Sequence, residues 1–352
     1  MKRVNNLFEQ ICSLENLQLA DEKARKRKTH KYGIKLHDRN REANILALRE
    51  ALLKGTFRTS EYSTFTIYEP KERLIYRLPY YPDRILHHAI MNVLEPIWLS
   101  VFTADTYSCI KNRGIHAGAQ AVKEVLRKDP EGTKYCLKLD IRKFYPSIDH
   151  EILKQIVRRK IKDARLLDLL DGIIDSAETS AEDKAGLQLS EGHPVGIPIG
   201  NYLSQYFANL YLTYFDHWLK EEKRVKYYFR YADDMVIFSS DKAELHALRT
   251  EIAAYLADRL RLEVKSNWQV FPTDSRGVDF LGFVFYHRYT LLRKRVKQNF
   301  CRAVARINRR KIKLDAKAYK QAICSWWGWV KYSDSRHFYK QLSKKFQYEI
   351  KF

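Results

Sequence analysis

Two segments of this chain carry acidic residues where a buried strand gives way to a turn. Tyr135-Cys136-Leu137-Lys138-Leu139-Asp140-Ile141 reads as a short buried strand with Asp140 near its end. Tyr227-Tyr228-Phe229-Arg230-Tyr231 and Met235-Val236-Ile237-Phe238 read as a hairpin around Ala232-Asp233-Asp234. Aspartate suits turns, so an Asp-Asp turn says little by itself. A charge placed directly after a buried strand is costly unless it binds something. The pattern therefore favours a fold in which these strand ends converge on one spot.

The bulk properties narrow the partner. The chain has 352 residues, a formal net charge of +22 and 13% aromatic residues. That length suits two or three packed domains, and 45% hydrophobic residues are enough for a real core. Lys and Arg neutralise phosphates and aromatic rings stack on bases, so this charge and ring content point to a polyanion. A solvated basic surface is the plainer alternative. Cysteines stand at 12, 109, 136, 301 and 324, with no CxxC pair. This argues against a disulfide framework or zinc site, and for a reducing compartment. No apolar run approaches the ~18 residues of a membrane span. No secretory segment is evident, so a cytoplasmic location is expected.

The remaining segments can be ordered along the chain. Residues 1–30 end in the run Lys23-Ala24-Arg25-Lys26-Arg27-Lys28, either a helix or a basic arm. Ile45, Leu48 and Leu52 predict a helix that Gly55 stops. Residues 62–80 predict a hairpin turning at Glu69-Pro70-Lys71-Glu72. Helices are expected over 83–98, 149–170, 203–219 and 242–260, with Asp149 capping the second. Residues 176–194 read as a loop, and 262–271 and 278–286 as short strands. From Leu291 the chain holds 18 Lys/Arg against three Asp/Glu, which predicts a basic helical module. Its Trp326, Trp327 and Trp329 are either core residues or stacking platforms. His87 and His88 are expected to pack locally.

Several blocks, taken in order, resemble reverse transcriptases. Lys138-Leu139-Asp140-Ile141-Arg142-Lys143-Phe144-Tyr145 is similar to their first catalytic strand, and Tyr231-Ala232-Asp233-Asp234 to their catalytic hairpin. Gly196-Ile197-Pro198-Ile199-Gly200-Asn201-Tyr202-Leu203-Ser204-Gln205 resembles the loop and helix that position template and nucleotide. Phe280-Leu281-Gly282-Phe283 resembles the primer grip. The resemblance covers roughly residues 40–290. It implies an α+β right-hand fold, with an antiparallel palm sheet and a helical thumb. The implied boundaries are a basic extension over 1–39, fingers over 40–134, palm over 135–290 with a fingers segment near 150–200, and thumb over 291–352. It also implies RNA-directed DNA synthesis from dNTPs on a template RNA, which passes through an RNA–cDNA duplex.

Such chemistry uses two Mg²⁺ ions, or Mn²⁺, to stabilise the attacking and leaving oxygens of an in-line phosphoryl transfer. The resemblance assigns Asp140, Asp233, Asp234 and the main chain of Ile141 to the metals. Lys265 matches a lysine proposed to protonate pyrophosphate, or is a surface lysine. Lys71 and Arg73, with Arg77 a weaker candidate, match fingers cations that meet the nucleotide's phosphates. Tyr145 matches the ring that blocks a ribose 2′-hydroxyl. Ile199, Gly200 and Gln205 belong to the nucleotide side, and Leu281 and Gly282 to the primer grip.

Most of the family carries Gln before this glycine and Ser-Pro at the segment's end. Here Ile199 and Ser204-Gln205 stand instead, which resembles the enzymes of diversity-generating retroelements. Those enzymes copy a template RNA unfaithfully at adenines and work with a small basic pentameric accessory protein. Antiphage-defence, retron-like and group II intron-like enzymes share the catalytic blocks. A catalytically inactive RNA-binding scaffold is an alternative of another class, and it predicts a broken carboxylate set.

Overall fold

Burial of Cys136, Leu137 and Leu139 on both faces suits β3 (Tyr135–Asp140) to the interior of an antiparallel sheet. Its neighbours are β5 (Asp234–Ser239) and β6 (Gln269–Pro272), and β4 (Tyr227–Tyr231) lies outside β5. The computed structural model describes residues 2–68, 72–177, 194–309 and 314–350. Within these the chain divides into two compact units, each discontinuous in sequence. One comprises 1–103, 141–218 and 253–264; the other comprises 104–140, 219–252 and 265–352.

The second unit contains the whole sheet. The period of two puts Cys136, Phe229, Val236 and Phe238 on one face, where they join a single apolar core. That core includes Phe280, Phe283 and Phe285 from a smaller sheet of β7 (Val278–Phe280), β8 (Phe283–Phe285) and β9 (Thr290–Leu292). The basic C-terminal segment forms the helices Lys294–Asn308, Ala316–Lys331 and Arg336–Ser343. Their apolar faces bring Phe300, Tyr319, Ile323 and Leu342 into the same core. The three tryptophans are partly buried against it, and Trp326 stacks on Phe300 with centroids 5.5 Å apart.

The β7–β8 turn is narrowly specified. Phe280 pairs with Phe283, so the loop is Leu281-Gly282, with φ of +53° and +83°. Two positive φ values in a two-residue loop match the right-handed twist of the flanking strands. A Cβ on Gly282 would also come within 2.6 Å of the Trp329 ring.

The first unit is mostly helical: α1 (Phe8–Ile11), α2 (Leu14–Arg25), α3 (Tyr32–Asp38), α4 (Arg41–Leu53) and α5 (Ile85–Leu99). Between α4 and α5 lies the ribbon of β1 (Ser63–Ile67) and β2 (Arg73–Arg77). The segment 141–218 adds to this unit the helices Phe144–Ser147, His150–Arg158, Ala164–Ile174 and Tyr202–His217. The basic run is thus partly helical. Arg25 bonds both oxygens of the fully buried Asp21, which also accepts from Arg41 Nε at 2.6 Å.

Three expectations need correction. The helix expected over 149–170 is broken in two, because Asp163 starts a new one. Its carboxylate accepts from Leu166 N at 3.2 Å and from Leu7 N and Phe8 N, satisfying the orphan donors of two helix starts. Asp149 does cap His150–Arg158, accepting from Ile152 N at 3.0 Å. The strand expected over 262–271 forms only from Gln269, with Val264 making an isolated bridge to Ile141. β9 was not anticipated, since its three residues are too short to show a period. Most of the loop expected over 176–194 lies outside the described residues, as does Lys71. No helix among the described residues is long and apolar enough to cross a membrane.

Gly282→Ala should lower the melting temperature of the full chain by several degrees, because it adds both φ strain and a clash with Trp329. A thermal melt read by circular dichroism checks this. An unchanged midpoint would mean that Trp329 moves aside freely.

Candidate active site

The sheet register brings the acidic residues together. Asp140 of β3 is the cross-strand partner of Asp234 of β5, so the two side chains leave one face of one sheet end. Asp234 also pairs with Tyr231, leaving Ala232-Asp233 as the two-residue loop. Ala232 has φ +55°, a left-handed conformation that costs a non-glycine residue about 1–2 kcal/mol. Something must hold that turn.

Arg230 supplies the hold, and sequence reasoning missed it. Its side chain is fully buried, a costly place for a guanidinium unless its donors are satisfied. One terminal nitrogen donates to the Ala232 carbonyl at 3.1 Å, the other to Thr106 Oγ1 at 3.3 Å. Its main chain exchanges bonds with 105–107: Arg230 N to Asp105 O at 2.9 Å, and Tyr107 N to Arg230 O at 3.0 Å. An arginine inside an aromatic strand was the available signal.

The carboxylates repel one another. Burial and the neighbouring Asp140 carboxylate push the Asp233 carboxyl up to about 7, and a hydrogen bond with Asp140 favours its protonated form. Burial pushes Asp234 up to about 6; Lys138 and Arg293 oppose the rise while Asp140 and Asp279 add to it. Lys265 Nζ lies 3.1 Å from Asp140 Oδ2, and its N–H donates to the Asp140 carbonyl at 2.9 Å. Lys138 donates to the Asp279 carbonyl, and Asp279 pairs with Arg293.

A divalent cation fits this arrangement. Asp234 Oδ1 is buried with no hydrogen-bond partner among the described residues. Carboxyl groups forced toward protonation by one another are relieved by a dication. No three His, Cys, Asp or Glu side chains among the described residues form a ready-made metal cage. Mg²⁺ does not demand one, because it keeps waters and substrate phosphates as ligands.

The other expected site residues fall into two groups. Leu281 and Gly282 share the second unit with the acidic cluster. In the first unit, Ile199 O accepts from Tyr76 N of β2 at 2.9 Å. Gly200, at φ +115°, lies so close to β2 that a Cβ would meet Ile75 Cγ2 at 2.8 Å and Tyr76 O at 3.0 Å. Tyr145 O accepts from Ile197 N at 3.0 Å, which ties its helix to the same segment. Gln205 is half-buried in the first turn of Tyr202–His217, and Arg73 is exposed at the start of β2. Ile141 is buried beside Val264. His87 is buried, and His88 stacks on Tyr202 with centroids 4.7 Å apart. Burial pushes both imidazoles down to about 4, so they are neutral near pH 7.

An antiparallel sheet presenting paired aspartates at one end is the arrangement found in the palm of a right-hand nucleic-acid polymerase. The family profile of reverse transcriptase (RNA-dependent DNA polymerase) matches residues 69–285, and the chain belongs to that family. It is 28% identical over 300 residues to Protein YkfC of Escherichia coli K12, covering 75% of each chain. It is 21% identical over 309 residues to the group II intron-encoded protein LtrA of Lactococcus lactis, covering 69% of this chain and 49% of LtrA. The solved apo telomerase of Candida tropicalis matches 83% of this chain and 59% of its own, with a TM-score of 0.48 and 11% identity.

Two outcomes are expected. An acid whose folded pKa lies above its unfolded value destabilises the fold as pH rises between the two. For Asp233 that window runs from 3.8 to about 7. In EDTA, Asp233→Asn should therefore raise the melting temperature by a few degrees at pH 8 and change it little at pH 4. A gain that was largest at pH 4 would reverse the sign and reject the repulsion. Separately, Arg230→Met should reduce kcat by about tenfold or more while KM moves less, because the turn loses its donor. A change confined to KM would dismiss that role.

Proposed function

We propose that the chain extends a DNA strand on a template RNA, with Asp140, Asp233, Asp234 and the carbonyl of Ile141 as the metal-holding set. The observation that carries this reading is the pairing of Asp140 with Asp234 at one sheet end, where Asp234 Oδ1 has no hydrogen-bond partner among the described residues. Reverse transcriptases generally use divalent metal ions such as Mg²⁺. When bound, the two ions offset the negative charge on the attacking and leaving oxygens. Asp140 and Asp233 would share the cationic load, Asp233 being ionised above about pH 7, and Arg230 would keep the turn from moving under it. Lys265, held at Asp140, would pass a proton to the departing pyrophosphate. Tyr145 excludes a ribose 2′-hydroxyl, and Lys71 and Arg73 meet the triphosphate. Leu281 and Gly282 form a stiff turn suited to carrying the primer end.

The finer reading is error-prone synthesis at template adenines in a diversity-generating retroelement, with a small basic pentameric accessory protein as partner. Ile199 supports it. Its side chain cannot donate or accept a hydrogen bond, so one directional constraint worth ~1 kcal/mol is missing from the nucleotide-side segment. The second reading is a group II intron-like enzyme, favoured by the similarity to LtrA.

Sequencing of cDNA made by the purified enzyme with Mg²⁺ and four dNTPs separates these readings. Asp140→Ala should abolish synthesis while RNA binding persists; undiminished synthesis rejects the site. Errors concentrated opposite adenine, and reduced by Ile199→Gln, support the mutagenic role. Faithful cDNA favours the intron-like reading.

A further inference from the structure

The first unit contains a cavity of about 530 Å³ that none of the expected site residues lines. Its walls are Phe8 of α1, residues 52–55 at the end of α4, the loop 57–59, and one side of the helix Ala164–Ile174. Cavities of this size suit a ligand as large as a nucleotide.

Gly172 is an unusual residue for such a wall. It lies inside the helix Ala164–Ile174, where glycine is a poor choice. Its φ is not left-handed, and a Cβ there would meet nothing within 4 Å. Neither backbone strain nor close packing requires the glycine, and its effect is to leave the cavity open.

The polar groups are independent of that. Thr59 Oγ1 is buried with no hydrogen-bond partner among the described residues. Arg165 lies over the Phe8 ring at 4.2 Å and donates to Leu53 O at 2.7 Å. Arg58 donates to Gly55 O at 3.1 Å and to Phe57 O at 2.6 Å. Carbonyls fix both guanidinium groups at the rim without neutralising them. Lys54, by contrast, pairs with Glu50. Asp168 adds one carboxylate, and Phe57 a half-buried ring.

We propose that this cavity takes one unstacked nucleotide of a bound RNA strand. The base lies against Phe57 and the glycine face of the helix, and the flanking phosphates meet Arg58 and Arg165. Stacking on aromatic rings with cations along the backbone is how single-stranded RNA is held. Asp168 accepts from an exocyclic amino group, so adenosine, cytidine and guanosine are preferred over uridine. The proposal rests on the RNA-template reading and adds a contact that the acidic cluster does not make.

The test uses the full chain and a single-stranded RNA 12-mer carrying one 8-azidoadenosine, photocrosslinked and mapped by mass spectrometry. Crosslinks are expected in 54–59 or 165–173. Gly172→Leu, a better helix former, should melt no lower than wild type yet reduce those crosslinks by about tenfold. Asp168→Asn should weaken the preference for adenosine over uridine in competition. Crosslinks at these peptides that survive Gly172→Leu would overturn the proposal, as would their absence from a strand shown by anisotropy to be bound. A wild-type chain that binds RNA but makes no DNA would count against the polymerase reading, and the crosslinks would still decide the cavity.

Discussion

The pairing of β3 with β5 is the constraint on which the rest of the second unit depends. It sets Asp140 opposite Asp234 and, through the two-residue loop, places Asp233 beside them. A slip of one residue would send every side chain of β3 to the opposite face. Cys136 would leave the core it shares with Phe229, Val236 and Phe238, and Asp140 would leave its partners. Apolar burial along the strands thus fixes the position of the charges at their ends.

Bringing those charges together works against stability. Burial, with the Asp140 carboxylate adding to it, holds Asp233 and Asp234 above the usual carboxylate range. The protein offsets part of it with Lys265 at Asp140 and with Lys138 and Arg293 near Asp234. It does not remove it, and one Asp234 oxygen has no hydrogen-bond partner among the described residues. Natural proteins break the rules of stable design mainly at functional sites. The left-handed Ala232, held by a buried arginine, is a second departure at the same place.

Much of this was legible in the sequence. The strands of the acidic cluster could be read from the pattern of their hydrophobic residues, a short apolar run next to each acidic position. The ribbon of β1 and β2 and the helix Tyr202–His217 followed from the same kind of signal. The break at Asp163 was harder, because the apolar pattern continues through it and only the cap marks a new start. Arg230 was hidden for a different reason. Its value lies in a contact with Thr106, more than a hundred residues away, which no local pattern records. The cavity beside Gly172 is likewise assembled from three distant segments.

The most direct test of the central claim replaces Mg²⁺ with Fe²⁺ and adds ascorbate and peroxide, so that radicals cut the chain next to a bound ion. The account predicts backbone cleavage around Asp140 and around Asp233-Asp234, suppressed by excess Mg²⁺ and lost in Asp140→Ala. Cleavage confined to other segments, or unaffected by Mg²⁺, would contradict it.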